Sequence, residues 1–143
     1  MVVSVLNYYN ENAGRLFAVY QSIDPDSLHS IWSAFMPRDP GMALDVGGGS
    51  GRDSFWLAEK GWCVITVEPA AELMNLGRQA TRSLDVTWVN DCLPQLSTLN
   101  SYQRQFGIIL VGGVLMHLDG KQRAESMKTL AALMAKKSVL IIT

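Results

Sequence analysis

Three places in this chain carry residues whose types and spacing suit ligand chemistry. The first is Leu44-Asp45-Val46-Gly47-Gly48-Gly49-Ser50-Gly51. Glycines let the backbone turn sharply and approach a ligand without Cβ clashes. The residues that follow read as a helix, whose free N–H groups would point into the same crevice. The second is Glu68, at the end of the β-branched run Cys63-Val64-Ile65-Thr66-Val67. A carboxylate about 20 residues beyond a glycine loop can accept both hydroxyl protons of a ribose. The third is Asn90-Asp91-Cys92, just past Asp85 to Val89. A carboxylate at Asp91 can accept from an exocyclic amine such as that of adenine, and the Cys92 N–H could serve a ring nitrogen.

Each place has a plainer reading. The glycines could be a tight strand-to-helix turn, Glu68 a solvated strand-end acid, and Asp91 a turn residue. The mutual register of the three favours a ligand site. The glycine spacing then separates the ligands. Dinucleotide binders use G-x-G-x-x-G, whereas here Gly47 opens G-x-G-x-G and Arg52 stands in the last position of that motif. The Gly-Lys-Ser/Thr ending of a phosphate-binding P-loop is absent.

Few residues could move protons. His117 follows an apolar run on the same side as the three places, and histidine is the side chain most suited to general-base work, so it is the candidate base. It could equally be a packing or cap histidine beside a helix starting at Asp119. No catalytic residue is assigned from sequence alone. His29 is expected at the surface. Cys63 and Cys92 lie apart, with no metal-ligand spacing, so they are expected as buried free thiols and no metal site is expected.

The elements that must position these residues follow from pattern. Residues 7 to 20 read as a helix. Asp24-Pro25 is an N-cap and first-turn pair, and Leu28, Ile31, Trp32 and Phe35 then form a helical stripe. Apolar runs at Met42 to Val46, 63 to 67, 85 to 89, 106 to 111 and 138 to 143 read as strands. Helices are expected at 52 to 60, 70 to 83 (weakened by Gly77) and from Asp119 to about Ala135, closed by Lys136 and Lys137. Trp56 and Trp62 are expected to pack a crossover helix on the sheet, and Trp88 to sit in the third strand. Met116, Met127 and Met134 are expected as core filler, and Asp53 as a first-turn acid. Continuous apolar strands alternating with helices specify an α/β fold with a doubly wound parallel sheet of about five strands, helices on both faces and extra N-terminal helices. Ligands of such sheets sit beyond the carboxyl ends of the strands, where all three places fall.

Composition bounds the rest. The chain has 143 residues, enough for one domain with its own core. It is 48% hydrophobic and 17% charged, which excludes a disordered chain. Its 12 basic and 13 acidic residues leave a net charge of −1, so no nucleic-acid or membrane-surface partner is expected. The N-terminus lacks the pattern of a signal peptide, and a cytoplasmic location is expected.

On these motifs the sequence resembles the class I S-adenosylmethionine-dependent methyltransferases of small-molecule type. Leu44 to Gly51 is similar to their first motif, Glu68 and Asp91 to their ribose and adenine acids, and Phe106 to Leu118 to their fourth-strand motif. Gly107 stands where that last motif usually carries an acid. The resemblance implies a Rossmann-like core over 41–143, with residues 1–40 a helical segment packed on or capping the cofactor site. It implies S-adenosylmethionine as cofactor and S-adenosylhomocysteine as product. Gly47, Gly48 and Gly49 would pass under the methionine arm. Glu68 would hold the ribose, Pro69 would pack near the adenine, and Asp91 and Cys92 would address its edge. The backbone around Val111 would face the amino group. Asp45 would anchor the loop from behind. Tyr9, on an N-terminal helix, and Arg52 are candidates for the carboxylate end. The family sheet has seven strands and this chain ends at the fifth, so a fragment or a partner-completed domain is expected. Strand 5 would then be a free edge that invites self-association. The acceptor is expected to be a small molecule. The competing readings are a nicotinamide-dependent oxidoreductase domain and a non-catalytic module that keeps the fold.

Overall fold

Five apolar segments form one parallel sheet in a computed structural model that describes residues 1–143. The strands are β1 (Met42–Val46), β2 (Cys63–Val67), β3 (Val86–Val89), β4 (Phe106–Val111) and β5 (Met134–Ile142), in spatial order β3-β2-β1-β4-β5. The order reverses between β1 and β4, which places the crevice over the carboxyl end of β1. The helices are α1 (Val3–Glu11), α2 (Ala13–Gln21), α3 (Pro25–Leu28), α4 (Arg52–Glu59), α5 (Ala71–Ala80) and α6 (Gly120–Leu133).

Both faces of the sheet are covered, as continuous apolar strands require. On one face Leu44, Val46, Ile65, Val67, Ile109 and Val111 pack with Leu130 and Leu133 of α6 and with Leu93, Leu96 and Leu99. On the other, Ala43, Val64, Ile108 and Leu110 pack with Trp56 and Leu57 of α4 and with Trp32 and Trp62. The N-terminal helices form a separate cluster, in which Ala13, Leu6 and Phe17 pack against Ala70 and Leu73 beside α5. Asn10 of α1 also caps α5, which has no cap of its own: its Oδ1 accepts from the Glu72 N–H at 3.1 Å.

Several local expectations hold. Asp24 caps α3 through the Ser27 N–H, and Asp119 and Gln122 form a reciprocal capping box at α6. Trp56, Trp62 and Trp88 are buried as expected.

Others are corrected. The helix expected over 7 to 20 is two, broken at Asn12. The stripe Leu28, Ile31, Trp32, Phe35 is not a helix face. The helix stops after one turn, tight turns follow, and Ile31 and Phe35 are exposed. Trp32 alone turns inward, 5.6 Å from the Trp56 ring centroid, and that packing outweighs the helical period. Helix α6 ends at Leu133. Lys136 and Lys137 lie instead in an irregular stretch of β5, where Lys137 has φ 56°. Met116 is exposed, Met127 largely so, and Met134 only half-buried. Cys63 and Cys92 are free but half-buried rather than buried.

Gly77, which weakens α5 by propensity, has a packing reason. The Trp88 indole lies against it, and a Cβ on Gly77 would collide with the ring. That indole donates to Thr81 Oγ1 at 2.9 Å and is held in place. A Gly77→Ala variant gains helix propensity but overpacks this contact. It is expected to lose about 1–3 kcal/mol of stability in urea unfolding. Equal or greater stability would show that the indole can move aside.

Candidate functional site

The site is built where β1 and β2 end. Gly47 and Gly48 both donate their N–H groups to the Val67 carbonyl, at 2.8 and 3.0 Å, so the loop folds back over the end of β2. Gly47 has φ 77°, which favours glycine. A Cβ on Gly47 would strike Val114, and one on Gly48 would strike Thr66. At Gly47 and Gly48 the loop therefore lies on its neighbours with no room for a side chain.

Glu68 holds this loop from the side. Its Oε2 accepts from the Gly49 N–H and its Oε1 from the Ala70 N–H, each at 2.9 Å. Burial pushes its carboxyl up, the two backbone N–H groups pull it back in part, and the net shift is upward. Each oxygen still has lone-pair capacity for a ligand hydroxyl.

Behind the loop, Asp45 and Thr66 are buried on the α4 side of the sheet. Ser54 Oγ, from α4, donates to Asp45 Oδ2 at 2.6 Å and lies 2.6 Å from Thr66 Oγ1. Asp45 thus ties β1 to α4 and, through Ser54, to β2. It makes no bond to the loop amides, so the anchoring is indirect. Burial first, and then the Asp53 charge, push its carboxyl up to about 7.

A second polar group closes the side of the site. Arg52 donates to both oxygens of Asp53, at 2.9 and 3.0 Å, and to the Tyr20 carbonyl at 3.2 Å. His29 Nε2 is 2.8 Å from Asp53 Oδ1. Burial raises the Asp53 carboxyl, but His29 and Arg52 overcome it and leave it below its ordinary value. His29 is therefore not at the surface. It is 2% exposed, and its ring centroid is 4.8 Å from those of Trp32 and Trp56. Asp53 is correspondingly more than a first-turn acid.

These groups line one cavity of about 390 Å³. It contains Asp45, Gly47, Gly48, Gly49, Glu68, Pro69, Asp91, Cys92 and His117, together with Tyr9 and Arg52. The geometry departs from expectation at two of the proposed contacts. The Cys92 N–H donates to Asp91 Oδ1 at 2.8 Å and is not free for a ring nitrogen, while Asp91 Oδ2 accepts from Thr98. Val111 is fully buried in β4, its carbonyl accepts from the Thr143 N–H at 3.0 Å, and Gly112 and Gly113 form the wall instead.

The structure also brings in residues that sequence reasoning missed. Tyr20, Ile23, Leu28 and Val114 face the cavity. Nothing in the spacing of Tyr20, Ile23 and Leu28 marks them, because they reach the cavity through packing of the N-terminal segment, whereas Val114 comes from the turn after β4 and lies against Gly47. Tyr9 Oη lies 3.1 Å from His117 Nε2, joining that segment to the turn after β4. Burial, and then the neighbouring Tyr20 and Glu68, raise the Tyr9 phenol above its ordinary value.

Comparison with known proteins now decides the family. Residues 43–137 match the family described as Methyltransferase domain. The chain belongs to that family. No curated protein is significantly similar in sequence.

Solved structures of methyltransferases share the fold. A TehB-like SAM-dependent methyltransferase from Corynebacterium glutamicum superposes with TM-score 0.69 at 21% identity, over 97% of this chain and 72% of that one. The glycopeptide N-methyltransferase MtfA, complexed with S-adenosyl-L-methionine, gives TM-score 0.68 at 17% identity, over 83% of this chain and 54% of that one. Phosphoethanolamine N-methyltransferase 1 of Haemonchus contortus gives 0.66 at 12% identity, over 99% of this chain and 33% of that one. This methyltransferase domain spans about half the length of several of the structures it matches, at 53%, 48% and 54%.

The raised carboxyl of Asp45 has a consequence for stability. In the fold it favours the neutral acid, from an ordinary 3.8 up to about 7. The folded state then binds more protons than the unfolded one, so this group's contribution falls as pH rises through that window. An Asp45→Asn variant keeps a partner for Ser54 and does not titrate. The stability of wild type relative to D45N is expected to drop between pH 4 and 7 in urea titrations. A pH-independent difference would show that the fold does not raise the Asp45 carboxyl.

Proposed function

We propose that this methyltransferase domain binds S-adenosylmethionine in the glycine cradle and transfers its methyl group to a small-molecule acceptor. The observation that carries this reading is the Glu68 carboxylate, bonded to the Gly49 and Ala70 N–H groups at the cavity wall. It combines a hydroxyl-accepting group with a loop that has no room for a side chain at Gly47 or Gly48, in a chain of the methyltransferase family. The cavity of about 390 Å³ lies in the range of small-molecule sites.

The cofactor, when bound, supplies an electrophilic methyl group on a sulfonium sulfur. The chain's own residues orient and hold. Gly47, Gly48 and Gly49 would pass under the methionine arm, and Glu68 would accept from the ribose hydroxyls with its remaining lone pairs. Pro69 and Asp91 would hold the adenine, and the backbone at Gly112 and Gly113, next to Val111, would face the amino group. Holding nucleophile and methyl in line supplies much of the acceleration.

Tyr9 and His117 handle the proton. An acceptor hydroxyl would give its proton to Tyr9 Oη while the Tyr9 proton would pass to His117 Nε2, leaving an imidazolium. The 3.1 Å separation of Tyr9 Oη and His117 Nε2 supports this relay.

Two further parts of the reading concern the whole molecule. β5 is the last strand of the sheet on its side, and its outer edge is free to pair with a second copy. A cytoplasmic location stays part of this reading, as expected from the sequence; no helix is long and apolar enough to cross a membrane.

Calorimetric titration with S-adenosylhomocysteine, with NAD as control, tests the cofactor. Micromolar binding of the first and none of the second is expected. Glu68→Ala should weaken it about tenfold or more, since a hydrogen bond to a charged group contributes roughly 1.5–3 kcal/mol. Because Glu68 also holds the loop, Glu68→Gln serves as the milder variant. Binding of NAD alone would overturn the reading. For the β5 edge, light scattering after size exclusion should show species larger than the monomer, and a monodisperse monomer would refute pairing.

A further inference from the structure

The glycine cradle occupies the carboxyl ends of the strands. A second cavity, of about 310 Å³, lies at their amino ends. Met42 and Gly107 line it where β1 and β4 begin, and Trp62 stands just before β2. Lys136 and Lys137 enter it from β5, and Arg38 from the segment leading into β1.

The register of β4 and β5 builds one wall. Phe106 pairs with Met134 and Ile108 with Val139. Gly107 alone therefore stands against the stretch from Ala135 to Ser138. That surplus bulges, and Ser138 Oγ closes it on the Ala135 carbonyl at 2.6 Å. Lys136 and Lys137 ride on the bulge and are exposed. Gly107 keeps the floor open, since a Cβ there would stand 3.2 Å from the Trp62 ring. Arg38 lies between Pro37 and Pro40, whose fixed φ angles stiffen its backbone.

The lining is rich in donors. Arg38, Lys136 and Lys137 meet a single carboxylate, Asp39. None of the three cations is in an ion pair; those of the chain join His29 and Arg52 to Asp53, and Lys60 to Asp26. The whole chain is balanced, with 12 basic and 13 acidic residues, so this gathering of cations is local. Trp62 adds a neutral donor. It is 3% exposed and its indole N–H has no partner in the protein, whereas Trp56 and Trp88 donate theirs to Asp26 and Thr81. Cations held together without counter-charge repel one another. An anion with several oxygens would satisfy them and the indole N–H at once.

We infer that this cavity is an anion site that takes a small molecule carrying phosphate groups, held by Arg38, Lys136, Lys137 and the Trp62 N–H. A planar guanidinium can pair two phosphate oxygens, and the two ammonium groups serve others as point charges. The Trp62 donor sits on a buried ring, within reach of a compact anion and not of an extended acidic peptide crossing the rim. The site lies at the opposite end of the sheet from the glycine loop and does not rest on the methyl-transfer reading.

Calorimetric titration of the full chain tests it with inorganic diphosphate, fructose 1,6-bisphosphate, sulfate and a hexaglutamate peptide. The tighter of the two phosphate ligands is expected to bind at least about tenfold more strongly than sulfate. Which of them is tighter separates a free inorganic anion from phosphate groups on an organic body. Lys136 and Lys137 are exposed and unpaired, so K136Q/K137Q keeps the fold. It is expected to weaken the phosphate ligands about tenfold or more. K121Q/K128Q removes the same charge from exposed positions of α6 outside the cavity, and should change binding by no more than about twofold, because distant surface charges are screened. Trp62→Phe keeps an aromatic ring, loses the N–H and should weaken binding severalfold. S-adenosylhomocysteine binding should be the same in K136Q/K137Q as in wild type.

Two results would overturn the assignment. If sulfate matches both phosphate ligands, or the two double variants weaken them equally, the attraction is general charge and the cavity is not a site. If hexaglutamate binds more tightly than either phosphate ligand, the surface docks an acidic peptide and the small-molecule site is refuted.

Discussion

The site depends on one buried carboxylate. Glu68 lies at the end of β2 and is nearly inaccessible, yet it carries the hydrogen bonds that hold Gly49 and Ala70 in place. A buried acid without partners would cost several kcal/mol, so these N–H donors are a condition of its position. The dependence runs both ways. The loop after β1 lacks side chains at Gly47, Gly48 and Gly49, and it is fixed by what its backbone can bond. It finds Val67 for two N–H groups and Glu68 for a third. β1 and β2 are adjacent parallel strands in register from Met42 with Cys63 to Val46 with Val67, and that pairing puts acid and loop side by side.

A second set of contacts turns an open crevice into a cavity. Arg52 and Asp53 begin α4, directly after the glycines, and reach out to the Tyr20 carbonyl and to His29. Gln21 donates to the Ser50 carbonyl at 2.9 Å. The N-terminal segment is thereby fastened to the loop by polar bonds, and to α5 by the apolar cluster around Ala13 and Leu73. Tyr9 completes the enclosure by meeting His117. The same residues that fasten the glycine loop also bring Tyr9 and Tyr20 to the cavity.

Much of this was legible in the sequence. The glycine run, Glu68 and Asp91 are found by spacing alone, because a parallel βαβ unit fixes how far apart its strand ends lie in sequence. The capping box at Asp119 and the cap at Asp24 are short-range hydrogen-bond patterns with few alternatives. The errors share a different cause. His29 was read as a surface residue and Trp32 as part of a helical stripe, yet each is placed by a partner from α4: His29 by Asp53 and Trp32 by Trp56. The Cys92 N–H was assigned to a ligand, but the Asp91 side chain beside it takes that bond first.

By itself, then, the sequence determined the α/β class, the strand ends that carry chemistry and the family they resemble, since each follows from local backbone geometry or short periodicity. It also held the glycines at 47–49, whose need for absent side chains is written in their type. Only the tertiary structure decided which charges remain free inside the cavity, because pairing such as Asp53 with His29 depends on the approach of α3 to α4. It alone placed Tyr9 against His117, across almost the whole chain. Packing of the N-terminal helices on α5 sets that contact, and no interval along the sequence encodes it.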